Sequence, residues 1–280
     1  MHENYPGARL YAMHLRNVGA IDAADMTLQQ LKNECGNLRN GTAVVSARDN
    51  YLSWVEKADS QFRSLFDDES MADDLYSAGY WEIRRMTQVT PRPFPLIYRE
   101  IENRIRDIEA ALASLSRIRA FANHPGAIVV PDTSAFIEGE IFTDLVWPTK
   151  MGVKGSVRLV VPIIVVEQLD RLKDGGNTRA GDRARKVLKR LREKRRAAAP
   201  GSPAEVRSKV TVEIFLDDGW QQRHPIADDE IIHQALKIQK MVPHEITLAC
   251  VDAGMEFRAL ENGLKVFEVP PPPQAAKASI

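Results

Sequence analysis

Apolar residues follow two different rhythms in this chain, and the change falls near residue 124. From Phe94 to Phe121 they recur every three or four positions: Leu96, Ile97, Ile101, Ile105, Ile108, Leu112, Leu115 and Ile118. That spacing predicts a long amphipathic helix with one apolar stripe. Its other face is expected to carry Arg99, Glu100, Glu102, Arg104 and Arg106. Stretches 26–38, 43–66 and 72–87 also read as helices, so residues 1–123 are expected to be all-α, a bundle or hairpin.

After the turn signal His124-Pro125-Gly126 the pattern becomes short, continuous, β-branched runs. These are AIVVP at 127–131, VRLVV at 157–161, VTVEIFL at 210–216, ITLACV at 246–251 and LKVFEV at 264–269. Such runs suit strands buried on both faces. Helical patterns at 163–173, 179–196, 229–240 and 255–262 separate most of them. The alternation predicts an α/β domain over 127–270, with a parallel sheet of about five strands flanked by helices. Residues 197–209 read as loop, and 271–280 as a disordered Pro-rich tail.

Composition adds limits. The 280 residues, 44 % hydrophobic and 27 % charged, suffice for two ordinary globular cores. Formal net charge is zero, so a strongly charged partner must meet a local patch. Two cysteines, Cys35 and Cys250, make no disulfide framework and no CxxC metal spacing. The longest apolar run, Leu159–Val166, is far short of a membrane span, and the first residues lack a leader's apolar segment. A cytoplasmic protein with no membrane partner is expected. No GxxxxGK[ST] or GxGxxG is present, which argues against nucleotide-binding folds.

Ligands of open parallel sheets bind beyond the carboxyl ends of the strands. An acid stands at each such place: Asp132 after the first strand, Glu167 one turn into the helix after the second, Asp228 and Asp229 before the next helix, and Asp252 after ITLACV. Any one of the aspartates could simply cap a helix. Together they would repel by about 4 kcal/mol per pair at about 4 Å and an effective dielectric near 20. A hard divalent cation, Mg²⁺ or Mn²⁺, removes that cost and takes oxygen ligands. With no ligand-spaced Cys or His, zinc is disfavoured. Asp217 and Asp218, in DDG, read as a plain turn, and the histidines as scattered loop or surface groups.

The order of DTSAF, VVPIIVVEQLDRLK, GDRARKVLKRLREKRR, ADDEIIHQAL and CVDAGMEFRALENGLKVFEVP resembles the PIN-domain nucleases. The likeness spans about residues 127–270 and is greatest to the larger PIN type of bacterial proteins and RNA-decay endonucleases. It implies a PIN-like sheet and a Mg²⁺- or Mn²⁺-dependent ribonuclease acting on single-stranded RNA. It implies catalytic and metal-holding roles for Asp132, Glu167, Asp229 and Asp252, metal contact for Asp228, and support from Thr133 and Ser134. The family's usual Thr in the last element is Cys250 here, and Gly254 stands where some members carry a further acid.

The helix over 179–196 carries ten basic residues against Asp182 and Glu193, beside an apolar stripe of Ala180, Ala184, Val187 and Leu191. Arg179, Arg183, Lys186 and Arg190 are the candidate phosphate contacts. Two alternatives remain open: a catalytically weak nucleic-acid-binding module of the same fold, and the toxin nuclease of a toxin–antitoxin pair. A phosphatase is disfavoured because DTSAF lacks a second Asp two residues on. Residues 1–120 leave self-association or partner docking open.

Overall fold

The computed structural model describes residues 15–16, 18–40, 43–176, 178–199, 201–217 and 223–272. Asp218 and the tail from residue 273, both read above from sequence, lie outside them. The chain divides into two compact units, Met1–Asn123 and His124–Ile280. Among the described residues no helix is long and apolar enough to cross a membrane.

The first unit contains α1 (Ile21–Asn37), α2 (Val44–Leu65), the short α3 (Ser70–Asp73) and α4 (Ala78–Arg84), and the long α5 (Pro93–Asn123). Its core is built from helical repeats. Ala24, Leu28, Leu31 and Cys35 of α1 pack with Tyr51, Val55, Ala58 and Phe62 of α2 and Ile97, Ile101, Ile108 and Leu115 of α5. One expectation is corrected here. Glu100 and Arg104 do not lie on a solvated face; they are 3 % and 8 % exposed. The Glu100 carboxylate accepts from Ser77 Oγ and Tyr51 Oη and sits 3.5 Å from Arg104. Arg104 also donates to the Asp74 carbonyl. A pairing of this kind depends on α2 and α4, which the periodicity of α5 alone does not contain.

The second unit runs β1 (Ala127–Pro131), α6 (Thr133–Ile137), α7 (Trp147–Lys150), β2 (Val157–Pro162), α8 (Ile163–Lys173), α9 (Arg179–Ala197), β3 (Ala204–Arg207), β4 (Val210–Phe215), α10 (Ala227–Gln239), β5 (Thr247–Cys250), α11 (Ala253–Glu261) and β6 (Lys265–Glu268). The sheet has six strands in the order β3-β4-β2-β1-β5-β6. Five are parallel, as expected. The sixth, β3, lies in the stretch read as loop and pairs antiparallel with β4. Its four residues are too few to show a period, and an antiparallel neighbour needs only a tight turn. Lys209 closes that turn at φ 62°.

Successive crossovers carry the chain from β1 to β2 and β4 on one side, then back to β5 on the other side of β1. The switch point is therefore the gap between β1 and β5, where a doubly wound sheet leaves a crevice at its carboxyl edge. The Asp132 amide donates to the Ala249 carbonyl at 2.9 Å, carrying the ladder one residue past β1. That bond sets Asp132 at the edge of the crevice.

Arg158 is the polar exception within β2. It is fully buried, and its Nε donates to Glu213 on β4. Removing one partner of a buried ion pair leaves an uncompensated charge. Glu213→Ala is expected to destabilise this unit by about 3 kcal/mol, seen as a lower urea midpoint for its transition.

Candidate active site at the carboxyl edge of the sheet

Asp132 is the most constrained of the predicted acids. It caps α6, with Oδ1 accepting from the Ala135 amide at 2.7 Å. Ser134 Oγ lies 2.9 and 2.8 Å from its two oxygens and donates to them. The same hydroxyl accepts from the amides of Val251 at 2.8 Å and Asp252 at 3.2 Å. One side chain thus ties the end of β1 to the end of β5. Asp252 caps α11, its Oδ1 accepting from the Gly254 amide at 3.2 Å. Capping and site placement coexist for both aspartates, since a cap occupies only part of a carboxylate's capacity to accept.

Burial pushes the Asp132 carboxyl up to about 6, and the nearby Asp228 charge adds to the rise, while the Ala135 and Ser134 bonds oppose it. Asp132 is 3 % exposed. Cys250, at the end of β5, is also buried and lies in the field of Asp132, Asp252, Glu256 and Glu268, which with burial raises its thiol to about 12. It stays a neutral thiol at physiological pH and adds no charge to the edge.

The other acids are placed differently. Glu167, on α8, accepts a two-pronged contact from Arg223, at 2.5 and 2.9 Å, with Arg171 4.0 Å away. Arg223 holds its carboxyl below the usual range. Asp229, in the first turn of α10, pairs with Arg258 of α11. Asp228 precedes it on the same turn and acts on Asp132. The structure thus brings Asp132, Asp228 and Asp252 toward the switch point and ties Glu167 and Asp229 to arginines. Among the described residues no three Asp, Glu, His or Cys side chains form a ready-made metal cluster.

Sequence reasoning passed over several members of this edge. Asp217, read as a plain turn, accepts from Arg223 Nε and from Gln234 at 3.3 Å. Glu230, fully buried, accepts from Gln234 at 2.6 Å and from the His224 amide at 2.8 Å, fixing the segment that enters α10. A run of acids and an arginine at 217–230 was the available signal, but which pairs with which is a tertiary fact. Thr133 donates to Gln168 and so joins α6 to α8.

The basic helix α9 divides into two sets. Arg183 donates to the carbonyls of Phe136 and Gly139, behind the short helix that Asp132 caps. Arg190 donates to Thr143 and lies 3.4 Å from Asp144. Arg179 and Lys186, by contrast, are exposed and make no hydrogen bond or ion pair among the described residues.

The model of the PIN domain matches residues 129–269, half of the chain. The chain belongs to the PIN-domain family. PIN domains are generally nucleases, which makes the carboxyl edge the part of this PIN domain to weigh as a nuclease-like module. A solved domain of a functionally unknown protein from Methanocaldococcus jannaschii DSM 2661 is similar at 16 % identity. It covers 55 % of this chain and 96 % of its own, with a TM-score of 0.35, too low to add weight. No curated protein matches the chain.

The raised Asp132 carboxyl has a direct consequence for the PIN domain. Above about pH 6 the group is ionised whether the chain is folded or not, and its burial cost is fully present. As pH falls through about 6 the folded carboxyl takes up a proton while the unfolded one does not, so the cost is relieved toward pH 4. Asp132→Asn is therefore expected to stabilise the fold at pH 7.5 in chelator by at most about 3 kcal/mol, seen as a higher melting temperature, with the gap closing toward pH 4. Differential scanning calorimetry across that range reads it; a destabilised variant at pH 7.5 contradicts the assignment.

Proposed function

We propose that this protein is a divalent-metal-dependent endoribonuclease that hydrolyses phosphodiester bonds in single-stranded RNA. The observation that carries the reading is the buried Asp132, bridged by Ser134 to Asp252 and facing the charge of Asp228 at the switch point. Three acids at one crevice, with no lysine or arginine bonded to Asp132 among the described residues, suit a cation better than a structural salt bridge. The donor set is oxygen throughout, which fits Mg²⁺ or Mn²⁺. Family membership supports the nuclease chemistry, and the resemblance of residues 127–270 to RNA-decay endonucleases supports RNA.

In this reading Asp132, Asp228 and Asp252 would hold the cation, and Glu167 and Asp229 would add to them once freed from Arg223 and Arg258. Bound Mg²⁺ or Mn²⁺ supplies charge neutralisation at the phosphodiester and lowers the pKa of water. Ser134 keeps Asp132 and the start of α11 in register through its two amide contacts. Glu167 orients the attacking water. Arg179 and Lys186, exposed on α9, hold backbone phosphates, while Arg183 and Arg190 brace the loop behind Asp132.

A second reading, a nucleic-acid-binding module with weak catalysis, has one observation in its favour. Arg223 and Arg258 already neutralise two of the acids. Two measurements separate the readings. Asp132→Asn and Asp252→Asn are expected to lower Mn²⁺-dependent cleavage of a single-stranded RNA by on the order of 100-fold or more, and Ser134→Ala by about 10-fold. Cleavage unchanged by Asp132→Asn sinks the nuclease proposal. Arg223→Gln is expected to tighten Mn²⁺ binding by about 10-fold, followed by electron paramagnetic resonance of the free ion, because the freed Glu167 adds negative charge at the crevice. Unchanged binding would mean that Glu167 takes no part in holding the ion.

A further inference from the structure

A groove of about 570 Å³ runs between α10 and α11 and opens at the acidic edge. Asp229, paired with Arg258, stands at one end of it. Ile232 and Leu236 of α10 supply apolar lining. Phe257 of α11 is 66 % exposed beside them, an aromatic ring left in water with no core function. His224 and His233 also line the groove, their ring centroids 5.2 Å apart and their planes tilted by 52°. His233 lies one helical turn beyond Asp229, so rings and acid share a face.

We infer that this groove is a nucleobase subsite, taking the base next to the phosphodiester positioned at the carboxyl edge. The inference rests on the nuclease reading for what lies at its mouth, and on the groove itself for what fills it. A base offers a flat π face for Phe257 and the histidine rings, and every base has one, so the subsite takes single-stranded RNA of any sequence. A duplex cannot enter, because its bases are stacked on one another. Phosphates flanking that base pass Arg258, which must exchange its pairing with Asp229 for them. A second copy of the chain or another protein would also cover apolar rings, but neither accounts for the groove's continuity with the Asp229 carboxylate.

The test uses the full chain and a fluorescein-labelled single-stranded RNA decamer, with Ca²⁺ present so that anisotropy reads binding. Phe257→Ala is expected to weaken binding about 10-fold and Phe257→Trp to restore it. A decamer made wholly of abasic nucleotides is expected to bind wild type and Phe257→Ala alike. Equal affinity of Phe257→Ala and wild type for the RNA decamer, or a difference that persists on the abasic decamer, overturns the subsite. So does a Phe257→Ala variant that turns an oligomer into a monomer on sedimentation, which assigns the ring to a protein contact. Cleavage in Mn²⁺ is scored separately. RNA binding through Phe257 without cleavage keeps the subsite and overturns the nuclease reading; cleavage indifferent to Phe257 does the reverse.

Discussion

Repulsion among carboxylates is the constraint around which the carboxyl edge of this sheet is organised. The fold brings Asp132, Asp228 and Asp252 toward the β1–β5 switch point and leaves Glu167 and Asp229 paired with arginines, and each acid must be compensated without water's full dielectric. The compensation is unequal. Among the described residues Asp132 receives only neutral donors, the Ala135 and Ser134 amides and the Ser134 hydroxyl, so burial still raises its carboxyl. Glu167 and Asp229 receive whole guanidinium groups. A neutral donor orients a carboxylate while leaving its charge available, whereas an arginine consumes the charge. The edge thus contains one set of acids met by neutral donors and another paired with Arg223 and Arg258.

The topology explains why the least compensated acids belong to β1 and β5. These strands are neighbours in space yet far apart in sequence, and the chain turns away from their shared end in opposite directions. Helices leave that end with their amide termini facing it, and both Asp132 and Asp252 cap such helices. Positive helix ends temper the crowding of negative groups. Ser134 serves as the common hinge pin, donating to one aspartate and accepting the amide of the other.

Much of this was legible in the chain, for reasons that can be named. Strands buried on both faces, such as AIVVP and VRLVVP, show continuous apolar runs because both surfaces are covered, and their ends mark where acids must gather. The helices of the first unit betray themselves through three- and four-residue spacing. What stayed hidden shares one property: it depends on partners distant in sequence. Arg223 and Arg258 look like ordinary surface cations until α8 and α10 bring Glu167 and Asp229 to them. Arg183 reads as one more charge on a basic helix, but its role is set by carbonyls at Phe136 and Gly139. Glu100 and Arg104 sit at polar positions of a helical stripe and are buried only because α2 and α4 close over them.

The antiparallel strand β3 bears on a different matter, how the sheet ends. Both outermost strands, β3 and β6, are only four residues long, and each carries two charged side chains: AEVR on one side, KVFE on the other. A bulge between Glu205 and Arg207 interrupts the first. Short, kinked, charged borders are poor templates for a further strand. The sheet is therefore finished at both margins, and this domain resists the strand-by-strand growth through which exposed β-sheet proteins aggregate.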